Sequence, residues 1–203
     1  MDDRRDKILD VAVELAEEGG FDNVRQRDVA AMAGVALGTL YKSFRSKEQL
    51  LCAAMEREAE LLERRMETNP AKGESPEERV VAFLRILTRG FFRKPKFARA
   101  VLRAMASGVP AAAATVIAYH GRINGLMIAA LRGVGRLSFN DATAAPPTAN
   151  EGAVAMLMQQ IWFAALVGWS AGVSSQAQVM EQVEAAATIV FRGVRGSSTG
   201  PFL

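Results

Sequence analysis

The chain has 203 residues, of which 50% are apolar, and a formal net charge of +3 from 25 Lys and Arg against 22 Asp and Glu. This apolar content excludes an intrinsically disordered protein, because such chains cannot bury enough apolar surface to offset their conformational entropy. The single cysteine, Cys52, and the single histidine, His120, exclude an internal disulfide and metal sites rich in these two residue types.

Hydrophobic periodicity predicts an all-α fold. Apolar residues recur every three or four positions, and the period-two alternation typical of strands is hard to find. Nine helices are expected, over Arg5–Glu18, Gln26–Ala33, Leu37–Phe44, Ser46–Thr68, Ser75–Arg93, Phe97–Ser107, Ala111–Arg132, Ala149–Gly172 and Ser175–Val194. We also expect a surface loop over 133–150 and a frayed tail over 197–203.

Three of these helices carry a capping signal. Ser46, Ser75 and Ser175 each stand three residues before a Gln or Glu. In this capping-box pattern the two side chains satisfy backbone amides that the first helical turn leaves free. The pattern therefore predicts where these helices begin.

The second and third helices are short and joined by three residues, Gly34, Val35 and Ala36, the arrangement of a helix-turn-helix. Gly34 tolerates a left-handed turn conformation, and Val35 can fill the angle between the helices. Residues 25–47 contain five basic residues and one acidic residue, a balance of +4, whereas residues 1–24 are predominantly acidic. Because DNA phosphates attract positive charge, this segment is the candidate DNA-reading surface.

The run from Val24 to Leu50 contains AGVALGTLYKSFRSKEQL and resembles the DNA-binding domain of the TetR family of bacterial transcriptional regulators. The resemblance implies an N-terminal three-helix DNA-binding domain at residues 1–48. It also implies a C-terminal helical domain for ligand binding and dimerisation at residues 49–203. Within the family, residues 34–41 and the late spacing of Trp162, Leu166 and Trp169 are similar to those of actinobacterial regulators of sterol degradation.

The same resemblance implies the residues that contact DNA. Nine positions are expected to do so: Arg25, Gln26, Ala36, Leu37, Gly38, Thr39, Tyr41, Lys42 and Lys47. Thr39, Tyr41 and Lys47 are expected at phosphates, and Leu37, Gly38 and Lys42 at bases. Leu40 and Phe44 are assigned to the core, and Arg27 to the solvated surface.

A run without any charged residue extends over 29 residues, from Gly152 to Met180. It is long enough to span a membrane, although Gln159, Gln160 and the absence of flanking basic residues count against a span. Small residues at four-residue intervals favour close approach of a partner helix instead. In the TetR family the last two helices form a homodimer, so we expect an interface at Ala164, Gly168, Gly172, Val183, Ala186 and Val190.

Large apolar side chains in the middle helices are candidates for a ligand site, because helices in this part of a TetR-family chain enclose a small-molecule pocket. The expected residues are Phe91, Phe92, Phe97, Met105, Tyr119, His120, Met127, Trp162 and Phe163. Such a surface favours a hydrophobic ligand. The alternative for each residue is an ordinary place in the core.

No catalytic motif stands in the structural context it requires, so we expect neither an enzyme nor a bound cofactor or metal. The predicted function is a cytoplasmic, ligand-responsive repressor that binds a palindromic double-stranded DNA operator as a homodimer. A hydrophobic effector, of sterol or acyl-CoA type, would release it. The alternatives are a regulator of drug or toxic-compound efflux and, from another class, a membrane-anchored helical structural protein.

Overall fold

The computed structural model describes residues 3–137 and 145–196, with side chains as far as Val194. Within these ranges it contains nine α-helices and no β-strand. They are α1 Asp3–Gly19, α2 Gln26–Ala33, α3 Leu37–Ser43, α4 Lys47–Thr68, α5 Pro76–Arg93, α6 Pro95–Ala106, α7 Pro110–Arg132, α8 Ala149–Ser170 and α9 Gln176–Gly196. The all-α prediction is confirmed. The predicted loop at 133–150 lies partly outside the described residues, and the predicted tail at 197–203 lies wholly outside them.

The three predicted capping signals begin α4, α5 and α9. At α9, Ser175 Oγ accepts from the Gln178 amide at 3.2 Å, and Gln178 Oε1 accepts from the Ser175 amide at 2.7 Å. At α4 the Gln49 side chain instead accepts from the amide of Arg45, one residue before the cap. A fourth box, formed by Thr148 and Glu151 at the start of α8, was missed in the sequence.

Two helix starts differ from the prediction because proline opens each helix. The sequence predicts α6 from Phe97 and α7 from Ala111, but they begin at Pro95 and Pro110. Proline fits the first helical position, where its missing N–H costs no hydrogen bond. A short 3₁₀ helix, Phe21–Asn23, also lies between α1 and α2 and was not predicted.

The described chain divides into two compact units, and the first runs to Glu60 and includes Phe91–His120. Its core contains apolar residues of α1, of the helix-turn-helix and of α6, among them Leu9, Val29, Leu40, Phe44 and Val101. The helix-turn-helix is therefore held in place by burial against α1. The division at residue 48 proposed from the sequence stays a prediction.

The second unit comprises Leu61–Gly90 and the chain from Gly121 onward. Here α8 packs on α9. Both helices carry residues with 0% exposure: Val154, Met158 and Leu166 on α8, and Val183 and Ala187 on α9. The Arg79 guanidinium joins α5 to the end of α7 by donating to the carbonyls of Ala130 at 3.0 Å and Leu131 at 2.6 Å. Both carbonyls belong to the last turn of α7, so Arg79 caps the end of that helix.

Among the described residues, α8 is the one helix that is by itself long and apolar enough to cross a membrane. The pair α6 and α7 qualifies only if counted together, and it is bent by 113°. In α8, 44% of the most apolar window is buried inside the chain. A core helix covered by its neighbours has this composition as well, and α9 covers α8 on one side.

Candidate functional site

The turn between α2 and α3 has the geometry expected of a helix-turn-helix. Gly34 is left-handed at φ 69° and ψ 34°, and its amide donates back to the last turn of α2. The amide of Val35 donates to the Ala30 carbonyl at 2.9 Å, which closes the helix end. Ala36 then caps α3 in an extended conformation, and Val35 packs partly buried against the core. The predicted roles of Gly34 and Val35 are confirmed.

The third helix has one buried side and one exposed side. Leu40 and, just beyond the helix, Phe44 have 0% and 1% exposure, as predicted. The exposed residues are Leu37, Gly38, Tyr41, Lys42 and Ser43, while Thr39 is half-buried. An exposed leucine and tyrosine beside a lysine supply the apolar and cationic groups that contact bases and phosphates in a major groove.

Two residues predicted at the DNA surface also have partners within the first unit. Gln26 Nε2 donates to the Phe44 carbonyl at 2.8 Å, which ties the start of α2 to the end of α3. Lys47 Nζ lies 3.9 Å from the centre of the Phe21 ring and 3.8 Å from Asp22 Oδ1. The first contact holds Gln26 at the end of α3, and the second holds Lys47 against the 3₁₀ helix Phe21–Asn23. Arg25 and Ala36 are exposed, and Arg27 lies at the surface next to Asp28.

The structure adds two basic residues of α1 that the sequence reasoning missed. The Arg5 guanidinium lies 5.2 Å from the centre of the Phe44 ring. The Lys7 ammonium lies 3.8 Å from the point where a Cβ on Gly34 would stand. Summing charge over residues 1–24 concealed them, because the acidic residues of α1 outnumber its three basic ones. Positive charge beside the turn is therefore larger than the segment 25–47 alone supplies.

Six of the nine residues predicted for a ligand lie in the first unit. Phe91, Phe97 and Tyr119 are buried, whereas Phe92, Met105 and His120 are half-buried. The rings of Tyr119 and His120 meet edge to face with centroids 5.6 Å apart. Burial lowers the pKa of His120 below its ordinary value, because a desolvated imidazole resists taking a charge.

The remaining three, Met127, Trp162 and Phe163, belong to the second unit. Met127 and Trp162 have 0% and 1% exposure, and Trp162 Nε1 donates to Thr88 Oγ1 at 2.9 Å. Thr88 in turn donates to the Leu84 carbonyl at 2.7 Å, so this pair forms a satisfied polar contact in the core. The nine residues thus form two sets in two units, and their ligand contacts stay a prediction.

The exposed side of α8 is an uncharged stripe. Its members recur with helical spacing and are Ala153, Met156, Leu157, Gln160, Ala164 and Val167. On α9, Ile189 is 71% exposed, whereas Val183 is fully buried within its own unit. Of the other residues predicted for a dimer interface, Gly172 is exposed, and Gly168, Ala186 and Val190 are half-buried. The exposed side is the one a partner subunit can reach.

Within the described ranges, no group of three or more His, Cys, Asp or Glu side chains could hold a metal ion. Cys52 is buried, and its pKa is raised to about 12 by burial and by the nearby charge of Glu48. A thiol with such a pKa is unreactive at neutral pH.

Family models match two parts of the chain. Residues 8–54 match the model described as bacterial regulatory proteins of the tetR family. Residues 73–190 match the model of the tetracyclin repressor-like C-terminal domain. The first match covers α2, the turn and α3, and the second covers most of α5 to α9.

Curated relatives match over most of the chain. The HTH-type transcriptional repressor KstR of Rhodococcus jostii is 36% identical over 182 residues, which are 90% of this chain and 80% of that protein. KstR of Mycolicibacterium smegmatis is 29% identical over 188 residues, 93% of this chain and 87% of that protein. Both relatives are named as transcriptional repressors.

Solved structures share the fold. A TetR transcriptional regulator from Rhodococcus sp. RHA1 superposes with a TM-score of 0.80 at 24% identity and covers 97% of both chains. FadR of Thermus thermophilus, a TetR-family repressor solved in complex with lauroyl-CoA, has a TM-score of 0.73 at 18% identity, over 97% of this chain and 98% of that one. With both of its parts matched by family models and a repressor 36% identical to it, this chain belongs to the TetR family of bacterial transcriptional regulators.

Proposed function

We propose that the protein is a ligand-responsive repressor that binds a palindromic operator as a homodimer. The observation that carries this proposal is the exposed side of α3, where Leu37, Gly38, Tyr41 and Lys42 face away from the core. Two such helices related by a dimer axis would enter successive major grooves about 34–36 Å apart or a multiple of that distance, which requires a palindromic operator.

The division of contacts follows from the side chains. Lys42 is an exposed point charge on the third helix, suited to the acceptor groups of guanine. Tyr41 and Thr39 supply hydroxyl groups for phosphates, and Lys47, Arg5 and Lys7 supply charge around them. Gln26 contributes in part by holding α2 against the end of α3.

The effector is a hydrophobic small molecule of sterol or acyl-CoA type. The likeness to actinobacterial sterol-degradation regulators and the KstR relatives support the first class. The structural neighbour solved with lauroyl-CoA supports the second. In the first unit, the exposed Arg93, Lys94, Lys96 and Arg99 provide positive charge that a CoA polyphosphate would require. The effector would lower operator affinity by binding more tightly to the state of the protein that binds DNA weakly. The size of the decrease is set by the difference between the effector's affinities for the two states.

The homodimer would form through the exposed sides of α8 and α9, and the protein would act in the cytoplasm, where the operator is accessible. An uncharged exposed stripe of this length is typical of a surface covered by another subunit. Val183 supports this surface from inside its own protomer.

Fluorescence anisotropy of labelled DNA tests the function. An operator is selected from random duplexes, and its affinity is compared with that of unrelated DNA at several salt concentrations. Lys42→Ala should reduce operator preference by about 1–3 kcal/mol at one base position. Lys47→Ala should weaken binding to all sequences and lower the salt slope by about one.

Lys72→Ala is the matched control, because Lys72 is exposed and belongs to the second unit, whereas the helix-turn-helix belongs to the first. It should bind like the wild type. The proposal fails if no sequence is enriched in the selection, or if Lys42→Ala and Lys72→Ala have the same operator preference.

A further inference from the structure

Asp22, in the 3₁₀ helix Phe21–Asn23, lies beside two cations from distant parts of the sequence, all within the first unit. Its Oδ2 atom accepts from Arg103 Nη1 of α6 at 3.0 Å. Its Oδ1 atom lies 3.8 Å from Nζ of Lys47, the first residue of α4. One carboxylate therefore has two positive partners, of which Arg103 is the closer.

The same two cations also contact one aromatic ring, that of Phe21. Lys47 Nζ lies 3.9 Å from the ring centre, and the guanidinium carbon of Arg103 lies 4.2 Å from it. Two positive charges on one ring repel each other, and the carboxylate of Asp22 offsets this repulsion. The four residues therefore form one electrostatic cluster, in which a change of one charge alters the surroundings of the others.

Lys47 is the member of this cluster to which the proposed function assigns a DNA phosphate. A phosphate and the Asp22 carboxylate are both anions, so they compete for the Lys47 ammonium group. The Asp22 side chain is 76% exposed, and an ion pair at such a position contributes little free energy and is readily exchanged. Because Arg103 binds the other oxygen of Asp22 at hydrogen-bond distance, it weakens the attraction of Asp22 for Lys47.

We propose that Asp22 competes with DNA phosphate for Lys47, and that Arg103 is a positioning residue that limits this competition by holding Asp22. The inference rests on the proposed function, which assigns Lys47 to a phosphate. The two residues adjust how strongly the protein binds any duplex and do not select its bases. Neither was among the site residues predicted from the sequence.

Fluorescence anisotropy of a labelled duplex of unrelated sequence tests the competition. Asp22→Asn keeps the shape of the side chain and removes its charge. The variant should bind this duplex about twofold to fivefold more tightly than the wild type at low salt, the range of an exposed ion pair. In the Lys47→Ala background the same substitution should change the affinity by less than about 1.5-fold, because the contested cation is gone. An equal gain in both backgrounds would show general repulsion between Asp22 and DNA and would overturn the proposal.

Arg103→Gln tests the positioning role. It should weaken binding to the same duplex about twofold to fivefold, because it releases Asp22 to Lys47. In the Asp22→Asn background its effect should fall below about 1.5-fold. An equal loss in both backgrounds would show that Arg103 contacts DNA directly, and the positioning role would be wrong. Arg65→Gln is the matched control, since it removes the same charge from an exposed arginine of the second unit, and it should bind like the wild type.

A purely structural role of Asp22 predicts the opposite sign. If Asp22 only held the 3₁₀ helix Phe21–Asn23 in place, Asp22→Asn would lower both the Tm and the affinity for DNA. An affinity of Asp22→Asn that is unchanged or lower therefore overturns the proposal. The proposed function is decided separately, by the selection of an operator from random duplexes. An enriched operator together with an unchanged Asp22→Asn affinity would reject this inference alone.

Discussion

Glu151 has two functions at the start of α8. Its carboxylate accepts from Arg132 Nε at 2.7 Å and Nη2 at 2.8 Å, and it completes the capping box by accepting from the Thr148 amide at 2.7 Å. The hydrogen bond from Arg132 is the main reason why the pKa of Glu151 falls to about 2, and the Thr148 contacts lower it further. Arg132 also donates to the carbonyls of Ala145 and Pro146. One ion pair therefore holds together both ends of the segment between α7 and α8.

Glu151→Gln should destabilise the protein by about 1–3 kcal/mol at pH 7, because it leaves the Arg132 charge without its counterion while a glutamine can still complete the cap. The folded pKa of Glu151 lies below its ordinary value of 4.5, so its stabilisation is fully present above that value. It is lost as the pH falls toward 2. The free energy of unfolding of wild type and variant is measured by urea unfolding followed by circular dichroism. The difference between the two values should therefore shrink from pH 5 to pH 3.

The matched control is Glu14→Gln, at an exposed position of α1. It should change the free energy of unfolding by less than about 0.5 kcal/mol at either pH. If Glu151→Gln lowered the free energy of unfolding by the same amount at both pH values, the assigned ion pair would be contradicted.

Residue roles that depend on distant partners could not be read from the sequence. Trp162 was predicted for the ligand, but its indole N–H bonds to Thr88, 74 positions away. Lys47 was predicted for phosphate, and it also bonds to the Phe21 carbonyl, 26 positions away. Periodicity identifies which face of a helix is apolar, but it does not identify the atom that meets each polar group.

The helix-turn-helix was predictable as an element because its signals are local. The short helices, the left-handed Gly34 and the buried Leu40 all follow from neighbouring residues. The same holds for the capping boxes of α4, α5 and α9, whose partners are three or four positions apart. The 3₁₀ helix Phe21–Asn23 was missed because three residues give no period to detect.

Two glycines of this element should respond oppositely to alanine. Gly34 has a φ of 69°, where a side chain is strained, so Gly34→Ala should destabilise the protein by about 1–2 kcal/mol. Gly38 lies inside α3, and a Cβ there meets no atom within 4 Å, so Gly38→Ala should stabilise the free protein by about 0.5–1 kcal/mol. Thermal unfolding of both variants measures these changes.

Operator affinity gives the second measurement for Gly38→Ala. If the third helix approaches the bases closely at Gly38, the added methyl group should weaken operator binding at least about fivefold despite the higher stability. Unchanged affinity would remove Gly38 from the set of base-facing residues, and a destabilised Gly38→Ala would contradict the helical geometry of α3 at this position.

For the whole molecule, the net charge of +3 describes the surface poorly. Residues 25–47 carry a balance of +4, and residues 85–103 contain seven basic residues and no acidic residue. Most of the uncharged run from Gly152 to Met180 lies in α8, which is covered on one side by α9 and exposed on the other. The sequence alone could not distinguish the covered side from the exposed side. Helical periodicity reveals a buried face only where apolar residues alternate with charged ones, and both sides of this run are uncharged.

The exposed side of α8 and α9 provides the test of assembly. Ile189→Lys places a charge on the proposed interface, where burial without a partner is unfavourable, so it should weaken the dimer at least about tenfold. Analytical ultracentrifugation should show a dimer for the wild type and monomer for the variant at the same micromolar concentration. Operator affinity should fall with it, because a monomer contacts one half-site only.

Ile117→Lys is the matched control, since Ile117 is 72% exposed on α7 in the first unit. That variant should remain dimeric, and a dimeric Ile189→Lys with unchanged affinity would place the subunit interface elsewhere.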